Sequence, residues 1–144
     1  MRFVMPGPAE RARPPWSALA VVSAGGVLGA LARYGIGHAW PTPASGFPWA
    51  TFVINVTGCL LMGALMMLVH DVFTRHHLLQ PFLGVGVLGG YTTFSTYSVE
   101  IRGLIAAGAT GTAVLYLFAT LAAALVAVFA GMAAVRAVRR WMAS

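Results

Sequence analysis

The sequence predicts an all-α membrane protein of four transmembrane helices, with the third helix broken near its middle. Three observations lead there. Hydrophobic residues make up 59% of the 144-residue chain and charged residues only 8%, too few to cover a wetted surface. The charges leave four uninterrupted stretches, 14–32, 34–70, 76–99 and 103–135, each about the ~20 residues needed to cross a bilayer as a helix. The stretches lack the period-2 pattern of barrel strands, and hydrocarbon tolerates no open sheet edge, so helices are the remaining choice.

Residues 1–15, rich in Pro and Arg, cannot bury a core and read as a flexible cytoplasmic leader. Residues 16–144 form the four-helix transmembrane domain, with helices expected over 17–38, 49–70, 80–101 and 105–135, the last starting near Gly111. Gly25, Gly26, Gly29, Gly35 and Gly37 give the first helix small positions for close backbone approach. Residues 38–48 are a loop by their Pro and Gly content, with Trp40, Phe47 and Trp49 suited to the membrane interface. Residues 71–79 form the second loop. The third run departs from a plain helix over 86–100, where paired Gly is followed by β-branched and hydroxylated residues. Non-helical backbone at membrane depth must be buried in protein or line a wet cavity.

All nine cationic side chains are Arg, and the net charge is +6. They gather at the ends of hydrophobic runs and not along one helix face, which is a topology signal and excludes a phosphate-binding stripe for nucleic acid. With four spans, one face holds Arg2, Arg11, Arg13, Arg75, Arg136, Arg139 and Arg140, while the other holds Arg33 and Arg102. That asymmetry places both termini in the cytoplasm.

The polar residues inside the runs are few. Asn55, with Thr51 one turn earlier, lies in the second span, where its amide serves equally as interhelical glue or as a pore-lining group. Arg33 is either a helix-end anchor beside Tyr34 or a fixed positive charge drawing anions into a vestibule. Thr92, Thr93, Ser95, Thr96 and Ser98 bring five hydroxyls together, with Phe94 and Tyr97 three residues apart. Such aromatics commonly pack against each other. Their positive ring edges, together with hydroxyl donors, would also replace water around a small, strongly hydrated anion. Tyr116 and Thr120 form a polar stripe on the fourth helix, and Glu100 either lines a vestibule or forms an ion pair with Arg102.

Catalysis is not encoded in any recognisable arrangement. The single cysteine, Cys59, can form neither an internal disulfide nor a C-x-x-C site. His70, His76 and His77 would need a further ligand such as Asp71 to hold a metal.

Four pieces of sequence together resemble the Fluc (CrcB) family of fluoride channels: Gly25 through Tyr34, Thr51 through Gly58, Gly89 through Ser98 with Glu100, and the Tyr116/Thr120 stripe. The resemblance covers nearly the whole chain after the leader. It implies passive efflux of cytoplasmic fluoride, relieving its toxicity, through an antiparallel dimer in the cell membrane. It further implies a structural Na⁺, not transported, held by the backbone carbonyls of Gly89 and Thr92. The implied pore residues are Asn55, Phe94, Ser95, Thr96, Tyr97, Tyr116 and Thr120, with Arg33 and Glu100 in the vestibule. Tyr97 departs from the commoner Phe. The Arg bias, seven against two, is also stronger than insertion in both orientations allows, and points to pairing with an oppositely oriented homologue. A small multidrug-type antiporter would require an intramembrane carboxylate for proton exchange, whereas Asp71 and Glu100 lie near helix ends. A membrane scaffold would leave the hydroxyl-rich break without a purpose.

Overall fold

The computed structural model describes residues 16–72 and 78–143, and every element among them is helical. Helix α1 spans Trp16–Ala39 and α2 spans Trp49–Val72. A segment in the wider π form follows, Pro81–Leu88, and runs directly into a short α3, Gly89–Tyr91. After a break come α4, Ser95–Ala106, and α5, Thr110–Ala143. Helices α1, α2 and α5 are long and apolar enough to cross a membrane.

Two differences from the sequence expectation concern length. The fourth helix begins at Thr110 but continues to Ala143, eight residues beyond the expected end. Nothing between Val135 and Ala143 breaks a helix, and Arg is a good helix former. At 1.5 Å per residue α5 is ~51 Å long, against ~30 Å of hydrocarbon, so its Arg-bearing end extends past the apolar layer. The first helix likewise runs one residue past its expected end at His38, to Ala39. The leader and most of the 71–79 loop, with Arg75, His76 and His77, lie outside the described residues.

Packing follows the glycines, though not all of them. The most extensive contact is α2 on α5. A Cβ on Gly63 would collide with the backbone carbonyl of Val128, and one on Gly131 with that of Leu60. Helix α1 meets the π segment in the same way: Gly25 lies against the Phe82 carbonyl and Gly86, and Gly29 against the Val87 carbonyl and Gly90. The broad π turn is accommodated where α1 has no side chain. Gly35 and Gly37 have open space around them and contribute no close approach.

Helix α4 turns back onto α5 through a compact end. The Gly108 N–H donates to Ile105 O and the Ala109 N–H to Leu104 O, the Schellman pairing. Its left-handed residue is Gly108 at φ 75°, where a Cβ would be strained. The resulting core joins Tyr97, Leu104, Ala113 and Tyr116, with Phe47 and Phe52 packed around it. Phe47 meets Tyr116 edge-on at 5.2 Å, so the loop before α2 is anchored to α5.

Candidate functional site

The helix break occupies Thr92, Thr93 and Phe94, inside the stretch the sequence marks as irregular. The paired glycines do not cause it. Gly86, Gly89 and Gly90 are all helical, and the chain leaves the helix only at Thr92, where ψ turns to 156°. Thr92 stays tied to the preceding turn, its N–H and its Oγ1 both donating to Leu88 O at 3.0 Å.

Asn55 holds the break open. Its Nδ2 donates to Thr93 O at 3.0 Å, and the Thr93 N–H donates to Asn55 Oδ1 at 2.9 Å. A single amide thus replaces both helical partners of one residue. On the far side, Thr93 Oγ1 accepts the N–H of Thr96 at 3.1 Å, acting as the N-terminal cap of α4. Assignments of a helix start differ by a residue or so, and the cap geometry places this one at Thr93. Thr93 Oγ1 also donates to Thr96 Oγ1 at 3.1 Å and lies 3.2 Å from Ser95 Oγ.

Two backbone carbonyls lose their helical donors as a result. In a continuous helix the Thr93 N–H would bond to Gly89 O and the Thr96 N–H to Thr92 O; here the first goes to Asn55 and the second to the Thr93 hydroxyl.

Glu100 bridges three helices. Thr51 Oγ1 on α2 donates to its Oε1 at 2.8 Å, and the Tyr116 hydroxyl on α5 donates to its Oε2 at 2.7 Å. Its partners are therefore hydroxyls, not the Arg102 suggested by sequence. The reason is register: Thr51 and Tyr116 face α4 on the side that Glu100 presents, and Arg102 lies two residues on, too far around the helix to share that face.

Two cavities adjoin this network. The larger, about 750 Å³, is lined by Arg33, His38, Thr51, Thr93, Thr96 and Glu100 among others. The smaller, about 210 Å³, is lined by Asn55, Cys59, Thr92, Thr93, Phe94, Tyr97, Thr120 and neighbouring apolar residues of α5. Thr93 borders both, so the break itself is the partition between them.

Of the anticipated site residues, Arg33, Thr96 and Glu100 line the larger space and Asn55, Phe94, Tyr97 and Thr120 the smaller, whereas Ser95 and Tyr116 line neither. Phe94 projects from the break with 76% of its surface exposed, whereas Tyr97 is 4% exposed and donates its hydroxyl to Leu117 O at 2.8 Å. Their rings are 5.8 Å apart. Tyr97 packs edge-on against Tyr116 at 5.1 Å, and Tyr116 is fully buried. Ser95 is exposed beside Thr93. Thr120 is 4% exposed, and its Oγ1 has no hydrogen-bond partner. Sequence reasoning did not connect Thr51 to Glu100, took Thr93 only as one of five hydroxyls in the break, and assigned no site role to Cys59. The Thr51–Glu100 link has no short-range signal, since 49 residues separate the two.

Comparison with known proteins gives a consistent result. Residues 20–132 match the family described as "CrcB-like protein, Camphor Resistance (CrcB)". The chain is 55% identical over 118 residues to a protein of Nocardia farcinica named fluoride-specific ion channel FluC 2, covering 82% of this chain and 84% of that one. It is 50% identical over 126 residues to fluoride-specific ion channel FluC 1 of Streptomyces coelicolor, covering 88% and 82%. A FluC protein of Rhodospirillum centenum is 45% identical over 119 residues, covering 80% and 92%.

Proposed function

The chain belongs to the CrcB-like family, and from that premise we propose that it is a subunit of a fluoride-selective channel, not an enzyme, through which cytoplasmic fluoride leaves passively. One observation carries the local reading: Thr120, whose Oγ1 is buried without a partner, lines a small cavity together with Asn55 and the aromatic residues Phe94 and Tyr97. Buried polar groups are nearly always paired. A free hydroxyl donor beside aromatic rings suits a small anion that must exchange its water for protein contacts.

The route then has two stages. Arg33 in the larger cavity supplies positive potential at the entrance, and Glu100 has both oxygens engaged by Thr51 and Tyr116, which tempers its repulsion of an anion. Passage continues past Thr93 and the hydroxyls of Ser95 and Thr96 into the smaller cavity, toward Thr120. Tyr97 offers its ring there, because its hydroxyl is already donated to Leu117. Tyr116 contributes by orienting Glu100 and backing the Tyr97 ring.

In this reading the π segment, α3 and α4 together make the broken third span, which brings the number of spans to four. The carbonyls of Gly89 and Thr92 fit a structural Na⁺: they are hard oxygen donors whose helical N–H partners have been diverted. When bound, the ion would neutralise the negative ends of these carbonyl dipoles and fix the break. The subunit works as an antiparallel dimer in the cell membrane. Its Arg bias, seven against two, sets both termini in the cytoplasm and calls for an oppositely oriented homologue as partner.

Fluoride efflux from liposomes, measured with this chain alone, with a candidate homologue, and with Phe94→Ile, tests the proposal. Efflux that is selective for fluoride and lost in Phe94→Ile is expected. Efflux indifferent to Phe94 would refute the pore assignment, and robust efflux from this chain alone would refute the heterodimer.

A further inference from the structure

Cys59 lies one helical turn after Asn55 on α2, half-buried, on the wall of the cavity of about 210 Å³. A lone thiol in a membrane helix means little by itself. The same cavity, however, is bordered by Thr120, whose buried hydroxyl lacks a partner, and such a group marks a place where a bound species completes the hydrogen bonding. Cys59 and Thr120, the residue whose hydroxyl is assigned to the anion, therefore border one small space. At about 30 Å³ per water molecule, that space corresponds to ~7 waters, of which a two-atom attachment to sulfur displaces about two from a path that must pass a single ion.

We propose that Cys59 is a covalent modification site for small thiol-directed electrophiles of the alkyl thiosulfonate class, and that S-thiolation there obstructs the passage of fluoride. The inference rests on the channel reading of the same cavity. With methyl methanethiosulfonate, the Cys59 thiol gives its proton to water and its sulfur attacks the sulfenyl sulfur of the reagent. A new S–S bond forms, the bond between the reagent's two sulfurs breaks, and methanesulfinate leaves with the electron pair. A dithiol reductant reverses the step, returning the Cys59 thiol and releasing methanethiol. The chain has no other cysteine, so Cys59→Ser removes every reactive thiol.

The test uses the full chain in liposomes in its conducting assembly, with any partner subunit made cysteine-free. Labelling is read by intact mass and efflux as the ratio after to before reagent. The expected result is one adduct per chain, a fall in efflux of about tenfold or more, recovery on reduction, and a ratio near one for Cys59→Ser. Complete labelling with an unchanged ratio overturns the proposal. So does a native chain that stays unlabelled while the denatured chain reacts. Unlabelled protein that passes no fluoride refutes the channel reading instead, a result the labelling arms cannot produce.

Discussion

Thr120→Val separates a structural from a conducting role. Valine has nearly the same shape as threonine and no hydroxyl. In the wild type that hydroxyl is buried on a 4%-exposed residue and unpaired; a buried unsatisfied polar group costs ~1–3 kcal/mol. Thr120→Val should therefore leave the folded protein as stable as before or stabilise it by ~1–3 kcal/mol. Its effect on conduction should be opposite. A hydrogen bond to a charged species is worth ~1.5–3 kcal/mol, and losing it from the rate-limiting step slows passage by roughly 10- to 150-fold. The assay pairs equilibrium unfolding in mixed micelles with the initial rate of fluoride efflux from liposomes. A variant destabilised by more than ~1 kcal/mol with efflux intact would show that the hydroxyl is a structural group with a partner in the assembled channel, and the argument for an anion at Thr120 would fail.

Further outcomes follow from the same contacts. Asn55→Leu leaves the N–H and the carbonyl of Thr93 without partners and should destabilise by ~2–4 kcal/mol, read by mixed-micelle unfolding; Thr57→Val on the same helix, whose hydroxyl bonds to two carbonyls of its own helix and lies 2.9 Å from the Tyr91 hydroxyl, should cost only ~0.6 kcal/mol. Tyr97→Phe removes the bond to Leu117 O, costs ~0.5–1.5 kcal/mol and keeps fluoride selectivity; selectivity lost in liposome efflux would mean that the phenol itself faces the anion. Gly63→Ala sets a methyl against the Val128 carbonyl and should destabilise by ~1–3 kcal/mol, whereas Gly35→Ala, with open space, should be neutral or slightly stabilising by thermal unfolding in detergent.

Much of this architecture was legible without coordinates because the bilayer imposes simple rules. Runs of about twenty apolar residues bounded by Arg fixed α1, α2 and α5 to within a residue or two, except at the C-terminal end of α5, where apolar residues give way to Arg without interrupting the helix. The third run could be recognised as irregular, yet the reason lay elsewhere than expected. The run was marked by paired glycines followed by β-branched and hydroxylated residues; Gly89 and Gly90 remain helical, and the chain turns out in the second group, at Thr92. Glycine raises the cost of a helix without supplying an alternative partner. The break needs an acceptor for the Thr93 N–H and a donor for its carbonyl, and both come from Asn55, 38 residues away.

The sequence by itself determined the solvent of this protein, the approximate spans, and the small set of polar residues that hydrocarbon would not tolerate idly. Those depend on composition and order along the chain, which transfer free energies act on directly. Only the tertiary structure decided what each polar group faces: Glu100 takes hydroxyls from two other helices, the Tyr97 phenol is engaged by Leu117, and Thr120 alone keeps an unengaged donor among the buried side chains described. Hydrogen bonds are short and directional, so their partners are set by how the helices pack and not by how far apart the residues lie in sequence.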